Sequence, residues 1–295
     1  MKCTYPKTIK IGNQKKTVPC GKCIACKCNR SQEWYVRLVH EMSVHKEMCF
    51  VTLTYNEDNI KKNYSLNKKD LVDFFKRLRY YYKENKIKYY ACGEYGDTTY
   101  RPHYHMIIFE YQPTVEEMYL LRIEKGIKRM SSEILDKIWF QGQNTVDIVN
   151  LKTIRYTVKY ITKKLYGEKA KEVYGDNEPP FSLMSKGLGL NWIESTKEDH
   201  EDMLKGYLTI EGKKVPIPRY YQKKYDFIGL KDPKVNYEKI KDLDVELSQD
   251  KFYRLGRKVV KGELTYEKME EIIKDDLEQN RRKQKRMEEI KRTSL

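Results

Sequence analysis

Apolar and polar positions along the chain switch between two periods. Trp34, Leu38 and Met42 recur at helical spacing, with Asn29 or Ser31 to cap the start, which predicts a helix over 29–46. Cys49 to Tyr55 alternates β-branched and aromatic residues and reads as a strand, stopped by the Asn56–Asn59 loop signal. Leu71, Phe74, Phe75, Leu78 and Tyr82 form the apolar stripe of a second helix over 65–82. Lys88–Tyr95 and Arg101–Phe109 read as two strands joined through a turn at Gly96–Tyr100, a hairpin. Residues 114–140 read as a helix, 145–149 as a short strand, and 152–165 as a helix carrying Tyr156 and Tyr160. Beyond Gly167 the pattern weakens into loops at 178–181 and 185–189 and an extended stretch at 216–221.

The order strand, helix, strand, strand, helix, strand, helix predicts an α+β fold: an antiparallel sheet with helices packed on one face, of the ferredoxin-like type. Three segments follow from the pattern. Residues 1–28 form a Cys-rich, metal-clipped arm, 29–225 the main domain, and 226–295 a charged, mostly helical tail ending in the basic run Arg281–Arg286.

Composition narrows the class. The 295 residues carry 59 Lys and Arg against 43 Asp and Glu, a formal charge of +16, which favours a polyanionic partner, above all nucleic acid. The 25 tyrosines interleaved with cations suit stacking on unpaired bases; a Lys- and Tyr-rich genome bias would give the same composition. No apolar run is long enough for a membrane span or a signal peptide, so the expected location is the cytoplasm of the cell that makes the protein.

Four of the seven cysteines, Cys20, Cys23, Cys26 and Cys28, fall within nine residues. The Cys-x-x-Cys-x-x-Cys spacing is that of a metal site, with Cys3 as the fourth thiolate and Cys28 competing for that place. Structural zinc, free thiols and an iron–sulfur cluster all fit the spacing, although the ferredoxin Cys-Pro is absent.

His103 and His105 are two of only five histidines, and strand geometry puts them on one face. The hairpin brings Glu94 beside them. Two imidazoles and one carboxylate leave coordination positions open for a phosphate oxygen and water, which suits Mg²⁺ or Mn²⁺ better than structural zinc. Tyr156 and Tyr160 stand at i, i+4 on one helix face, and Lys159 and Lys163 repeat the frame Tyr-x-x-Lys. A phenolate can attack phosphorus, and a lysine can stabilise the phenolate or the phosphorane. Taken singly, a His-x-His is a polar strand face and two helical tyrosines are packing residues; together they point to phosphoryl transfer.

The combination resembles the HUH endonucleases that start rolling-circle replication. Phe50–Tyr55 is similar to their first strand motif, His103-Tyr104-His105 to the His-hydrophobic-His motif, Gly93-Glu94-Tyr95-Gly96 to the turn supplying a third ligand, and Tyr156–Lys163 to the two-tyrosine nucleophile motif. With the Cys-Gly-Lys-Cys arm and Pro218–Tyr221, the chain looks like a replication initiator of a gokushovirus-type Microviridae phage. Tyr104 is less apolar than the usual middle residue and should point away from the metal. The resemblance implies an α+β HUH core and a nickase acting on single-stranded and replicative-form origin DNA. It implies a metal held by Glu94, His103 and His105, a 5′-phosphotyrosine at Tyr156 or Tyr160, and strand rejoining that releases circular single strands. It also implies a host helicase and polymerase as partners in the cytoplasm of the bacterial host; no Walker-type Gly-x-x-x-x-Gly-Lys sequence occurs in the chain. A plasmid replication or mobilisation nuclease of the same chemistry and a non-catalytic zinc-ribbon nucleic-acid binder are the alternatives.

Overall fold

A computed structural model describes residues 2–12, 14–195, 207–228 and 282. They divide into two compact units, one of Lys27–Trp192 and one of Met1–Cys26 with the chain from Ile193 on. The tail expected over 226–295, with its basic run, lies outside the described residues except for 226–228 and 282. Among the described residues no helix is long and apolar enough to cross a membrane.

The larger unit is built on seven antiparallel strands: β3 (Met48–Tyr55), β4 (Lys88–Tyr95), β5 (Pro102–Phe109), β6 (Met118–Glu124), β7 (Ile127–Ser132), β8 (Gly142–Asp147) and β9 (Phe181–Met184). Their order in the sheet is β6-β7-β8-β3-β5-β4-β9. Helices α2 (Lys68–Tyr81) and α3 (Glu133–Ile138) connect β3 to β4 and lead into β8. The four central strands therefore follow the βαββαβ path of a ferredoxin-like core, as the sequence predicts.

Strand period two decides what each face buries. Val51, Leu53 and Tyr55 of β3, Ala91 of β4, and Tyr104, Met106 and Ile108 of β5 meet Leu71, Phe74, Phe75 and Leu78 of α2 and Leu135 and Ile138 of α3. The alternate residues face the other way. There α1 (Ile24–Ser43) sets Trp34 against Tyr90, with ring centroids 5.1 Å apart, and α4 (Leu151–Lys163) lies over β4 and β5. Helices thus cover both faces rather than one. The reason is in β5, whose positions from Tyr104 to Phe109 are all buried, so both of its faces need covering.

Three further expectations change. Residues 114–140 are not one helix but the hairpin β6–β7 followed by the single short helix α3. Lys125 and Gly126 both take positive φ (50° and 77°), the tight two-residue turn that reverses the chain, and Leu120, Ile123 and Ile127 are exposed where a helix would bury them. The N-terminal arm is not irregular: β1 (Lys7–Ile11) pairs with β2 (Gln14–Val18), and α1 begins at Ile24, where buried Ile24 and Ala25 already start its apolar stripe. After α5 (Glu168–Tyr174) and α6 (Leu190–Ser195), strands β10 (Tyr207–Ile210) and β11 (Lys213–Pro216) form a second hairpin. The extended stretch predicted at 216–221 ends at Pro218, and α7 (Arg219–Ile228) starts there, with the Tyr221 amide donating to the Pro218 carbonyl.

Candidate active site

The sheet register builds the first half of the site. Glu94 of β4 sits directly across from His103 of β5, and Cys92 across from His105. On the other side of β5, Thr52 of β3 pairs with His105 and Thr54 with His103. Glu94, His103 and His105 consequently share one face, and one ligand atom from each lies within 4.8 Å of the others. Tyr104 faces away, as expected: its hydroxyl meets the Tyr55 hydroxyl at 2.7 Å and donates to the Asn67 carbonyl on the α2 side.

The ring orientations are those of metal ligands. His103 Nδ1 lies 3.0 Å from the Arg101 carbonyl oxygen, which can only accept, so Nδ1 carries the proton. His105 Nδ1 lies 3.0 Å from Thr52 Oγ1. Both Nε2 atoms then turn to one oxygen, Glu94 Oε1, at 2.9 and 3.2 Å. In a neutral ring with Nδ1 protonated, Nε2 has a lone pair and no hydrogen to offer. An imidazole lone pair and a carboxylate oxygen face each other at 2.9 Å, an arrangement that a cation between them resolves. Glu94 Oε2 is buried with no hydrogen-bond partner, and the nearest cation, Lys163 Nζ, is 4.0 Å away. Burial pushes the Glu94 carboxyl up, but its hydrogen-bonding neighbours His103 and His105 outweigh burial and hold it down at about 2. Burial lowers the His105 pKa, which favours the neutral, ligating ring. An orphaned carboxylate oxygen, two oriented imidazoles and an O/N donor set with open positions fit Mg²⁺ or Mn²⁺.

Helix α4 supplies the second half. Asn150 caps it, accepting from the Lys152 and Thr153 amides, while Thr153 Oγ1 accepts from the Asn150 amide in return. Ile154, Val158 and Ile161 bury one stripe, and the adjoining stripe carries Tyr156 and Tyr160 over the histidines. The Tyr156 hydroxyl is 3.3 Å from His105 Nε2. The Tyr160 ring stacks parallel to the His105 ring at 5.4 Å, and the two tyrosine rings meet edge to face at 5.1 Å. Tyr156 is 44% exposed and Tyr160 7%. Burial, then the Glu94 charge, pushes the Tyr160 phenol far above its ordinary range; burial also raises Tyr156.

Of the two predicted lysines, Lys163 reaches the site. Its Nζ lies 5.3 Å from the Tyr160 ring centroid and donates to Asp97 in the β4–β5 turn at 2.6 Å. Lys159 is exposed on α4. Two contributors escaped sequence reading. Thr52, which orients His105, was legible as a hydroxyl at an alternating position of the first strand motif. Asp97, which holds Lys163, carries no signal beyond its place in a turn. The four cysteines Cys3, Cys20, Cys23 and Cys26 come together in the smaller unit, with one Sγ from each within 4.8 Å of the rest, and Cys28 is not among them.

Comparison with known proteins agrees with this arrangement. The family model for the replication-associated protein ORF2 matches residues 48–165, the span from β3 to the end of α4 and beyond. The chain is 34% identical over 216 residues to Replication-associated protein VP4 of Bdellovibrio phage phiMH2K, covering 70% of this chain and 67% of that one. It is 31% identical over 221 residues to Replication-associated protein ORF2 of Spiroplasma virus 4, covering 71% and 68%. It is 30% identical over 212 residues to Replication-associated protein ORF4 of Chlamydia phage 1, of which it spans 52%. No solved structure matches the chain.

Proposed function

The chain belongs to the replication-associated protein family of the Microviridae, and on that premise we propose that it is a tyrosine-dependent nickase and strand-transfer enzyme that starts and ends rolling-circle replication of a phage genome. The observation that carries this reading is the convergence of Tyr156 and Tyr160 on the Glu94–His103–His105 face, with the Tyr156 hydroxyl 3.3 Å from His105 Nε2.

Glu94, His103 and His105 would hold Mg²⁺ or Mn²⁺, which when bound polarises the scissile phosphate as a Lewis acid. The chain's own groups do the rest. A tyrosine Oη attacks phosphorus, its proton passing to solvent. The new Oη–P bond forms as the P–O3′ bond breaks, leaving a 5′-phosphotyrosine and a free 3′-hydroxyl. Thr52 and the Arg101 carbonyl hold the two imidazoles in orientation. Lys163 supplies positive charge beside Tyr160, and Lys159 a cation for the DNA backbone. The second tyrosine then cuts the regenerated origin, and the released 3′-hydroxyl attacks the first phosphotyrosine to close a circle. The phosphoester conserves the bond energy, so ATP is not consumed. Unwinding and extension fall to a host helicase and polymerase acting in the host cytoplasm.

The test is a denaturing gel of the full chain with single-stranded and replicative-form origin DNA and Mn²⁺ or Mg²⁺. A covalent protein–DNA adduct is expected, lost on chelation, in Tyr156→Phe/Tyr160→Phe and in His103→Ala. DNA binding without any adduct would leave a non-catalytic nucleic-acid binder instead.

A further inference from the structure

The β1–β2 hairpin has nothing to hold it. Every residue from Lys7 to Lys10 is exposed, as are Lys15 and Thr17 of β2, so neither face forms a core. A two-stranded hairpin of five residues a side is marginal in water by itself. What brackets it is the cysteine cluster. Cys3 lies just before β1, Cys20 just after β2, and Cys23 and Cys26 flank the start of α1.

The sulfur geometry is that of a metal-bound tetrad. Four thiolates at about 2.3 Å around a tetrahedral centre stand about 3.8 Å from one another. Cys23 Sγ and Cys3 Sγ are 3.8 Å apart, and Cys20 Sγ and Cys26 Sγ 4.0 Å apart. These separations are far beyond a disulfide bond, and all four cysteines are free thiols. They are also too short for a four-iron cluster, whose bulk would lie between its thiolates. Backbone amides converge on the same sulfurs. The Cys20 amide donates to Cys3 Sγ at 3.2 Å, and the Lys22 and Cys23 amides donate to Cys20 Sγ at 3.5 and 3.4 Å. Amides turned toward sulfur stabilise thiolate charge and fix ligand direction, as outer-shell donors do in metal sites. Cys28 falls outside the tetrad, which decides between it and Cys3 as the fourth ligand.

We propose that Cys3, Cys20, Cys23 and Cys26 bind one structural Zn²⁺ that closes the base of the β1–β2 hairpin and so presents Lys7, Lys10 and Lys15 as a basic finger for the nucleic-acid backbone. The closed four-sulfur shell leaves no position for substrate, which separates this site from the open Glu94–His103–His105 set. The inference does not rest on the nuclease reading.

The experiment is metal analysis of the full chain purified in reducing buffer with EDTA. One zinc per chain is expected, released by a mercurial in step with titration of four thiols. Cys28→Ser and His103→Ala should keep it, and Cys20→Ser should lose it. Because Cys20→Ser can fail to fold, cobalt exchange into the unaltered chain gives a second readout: thiolate-to-cobalt charge transfer in the near ultraviolet with strong visible bands of a tetrahedral site. Absence of zinc together with a cobalt spectrum lacking charge transfer overturns the proposal. So does zinc that departs in His103→Ala and persists in Cys20→Ser, or visible absorption showing iron in the tetrad.

Discussion

The two tyrosines are not equivalent, and the difference predicts the order of cleavage. Tyr156 is 44% exposed and Tyr160 7%, although they are one turn apart on the same helix. A phosphate carried by DNA approaches from solvent, so Tyr156 is the phenol it meets first, 3.3 Å from the His105 nitrogen. Replacing either tyrosine by Phe removes one oxygen and leaves the ring packing. For half-exposed Tyr156 the stability change should stay within about 0.5 kcal/mol. For buried Tyr160 it should be about 1 kcal/mol. Neither change unfolds the chain, so a lost adduct reports chemistry. Tyr156→Phe should slow first-strand adduct formation by about 10³-fold or more, the scale on which deletion of a nucleophile is felt. Tyr160→Phe should keep the first adduct within about tenfold but fail to release circular product, because the second cut is missing. The assay is a time course with 5′- and 3′-labelled origin oligonucleotides on a denaturing gel, each variant checked for its melting curve. An unchanged first adduct in Tyr156→Phe, or one lost only in Tyr160→Phe, refutes the exposure argument.

Two further predictions concern the scaffold. Buried Glu41 accepts from His45 Nε2 and Lys88 Nζ, both at 2.8 Å, and the other His45 nitrogen meets Glu110. Glu41 first, then Glu110, raises the His45 pKa, so the stabilisation is full below the unfolded value of about 6.5 and is lost as pH rises through the folded value. His45→Gln should therefore cost about 3 kcal/mol at pH 6 and progressively less at higher pH; melting temperatures of both proteins across pH 6 to 9 check this, and a gap that stays constant or widens with pH contradicts it. Asn150→Ala removes the acceptor for two amides at the start of α4 and should cost about 1 kcal/mol. Thermal unfolding reads that loss, and adduct formation should survive it, since the tyrosines lie in the second and third turns.

Legibility followed the strength of the local period. The β4–β5 hairpin, α2 and α4 were readable because each carries a clean alternation or stripe, and the metal-type face followed from them: once β4 and β5 pair, Glu94 has to stand beside His103. Residues 114–140 were not readable, because Met118, Leu121 and Met130 satisfy helical spacing while the Lys125–Gly126 reversal, the deciding feature, occupies two residues. Covering of both sheet faces was hidden for a related reason. His103, His105 and Glu94 look like a solvated face until a helix lies on them, and only tertiary structure puts α4 there. The cysteine spacing announced a tetrad, but Cys3 against Cys28 as fourth member was a question of chain path that spacing leaves open.

The site divides its labour between a part that is fixed and a part that hands over. Its ligand face comes from β4 and β5, with Thr52 of the adjoining strand β3 behind it, so the carboxylate and imidazoles are held by backbone ladders on both sides of β5. The nucleophiles come from a separate element, and their rings stand 5.1 Å apart. A cycle that alternates two phenols must bring each phosphate in turn to the same ligand face. Moving β4 or β5 would break the ladders that orient the histidines, and unwinding α4 would undo its capping box. The remaining route is for the DNA end to shift by about one helical turn, about 5.4 Å, along α4 while the protein stays in place. Spacing of i, i+4 is what makes that shift short: it is the smallest separation that puts two tyrosines on one helix face with room for both rings.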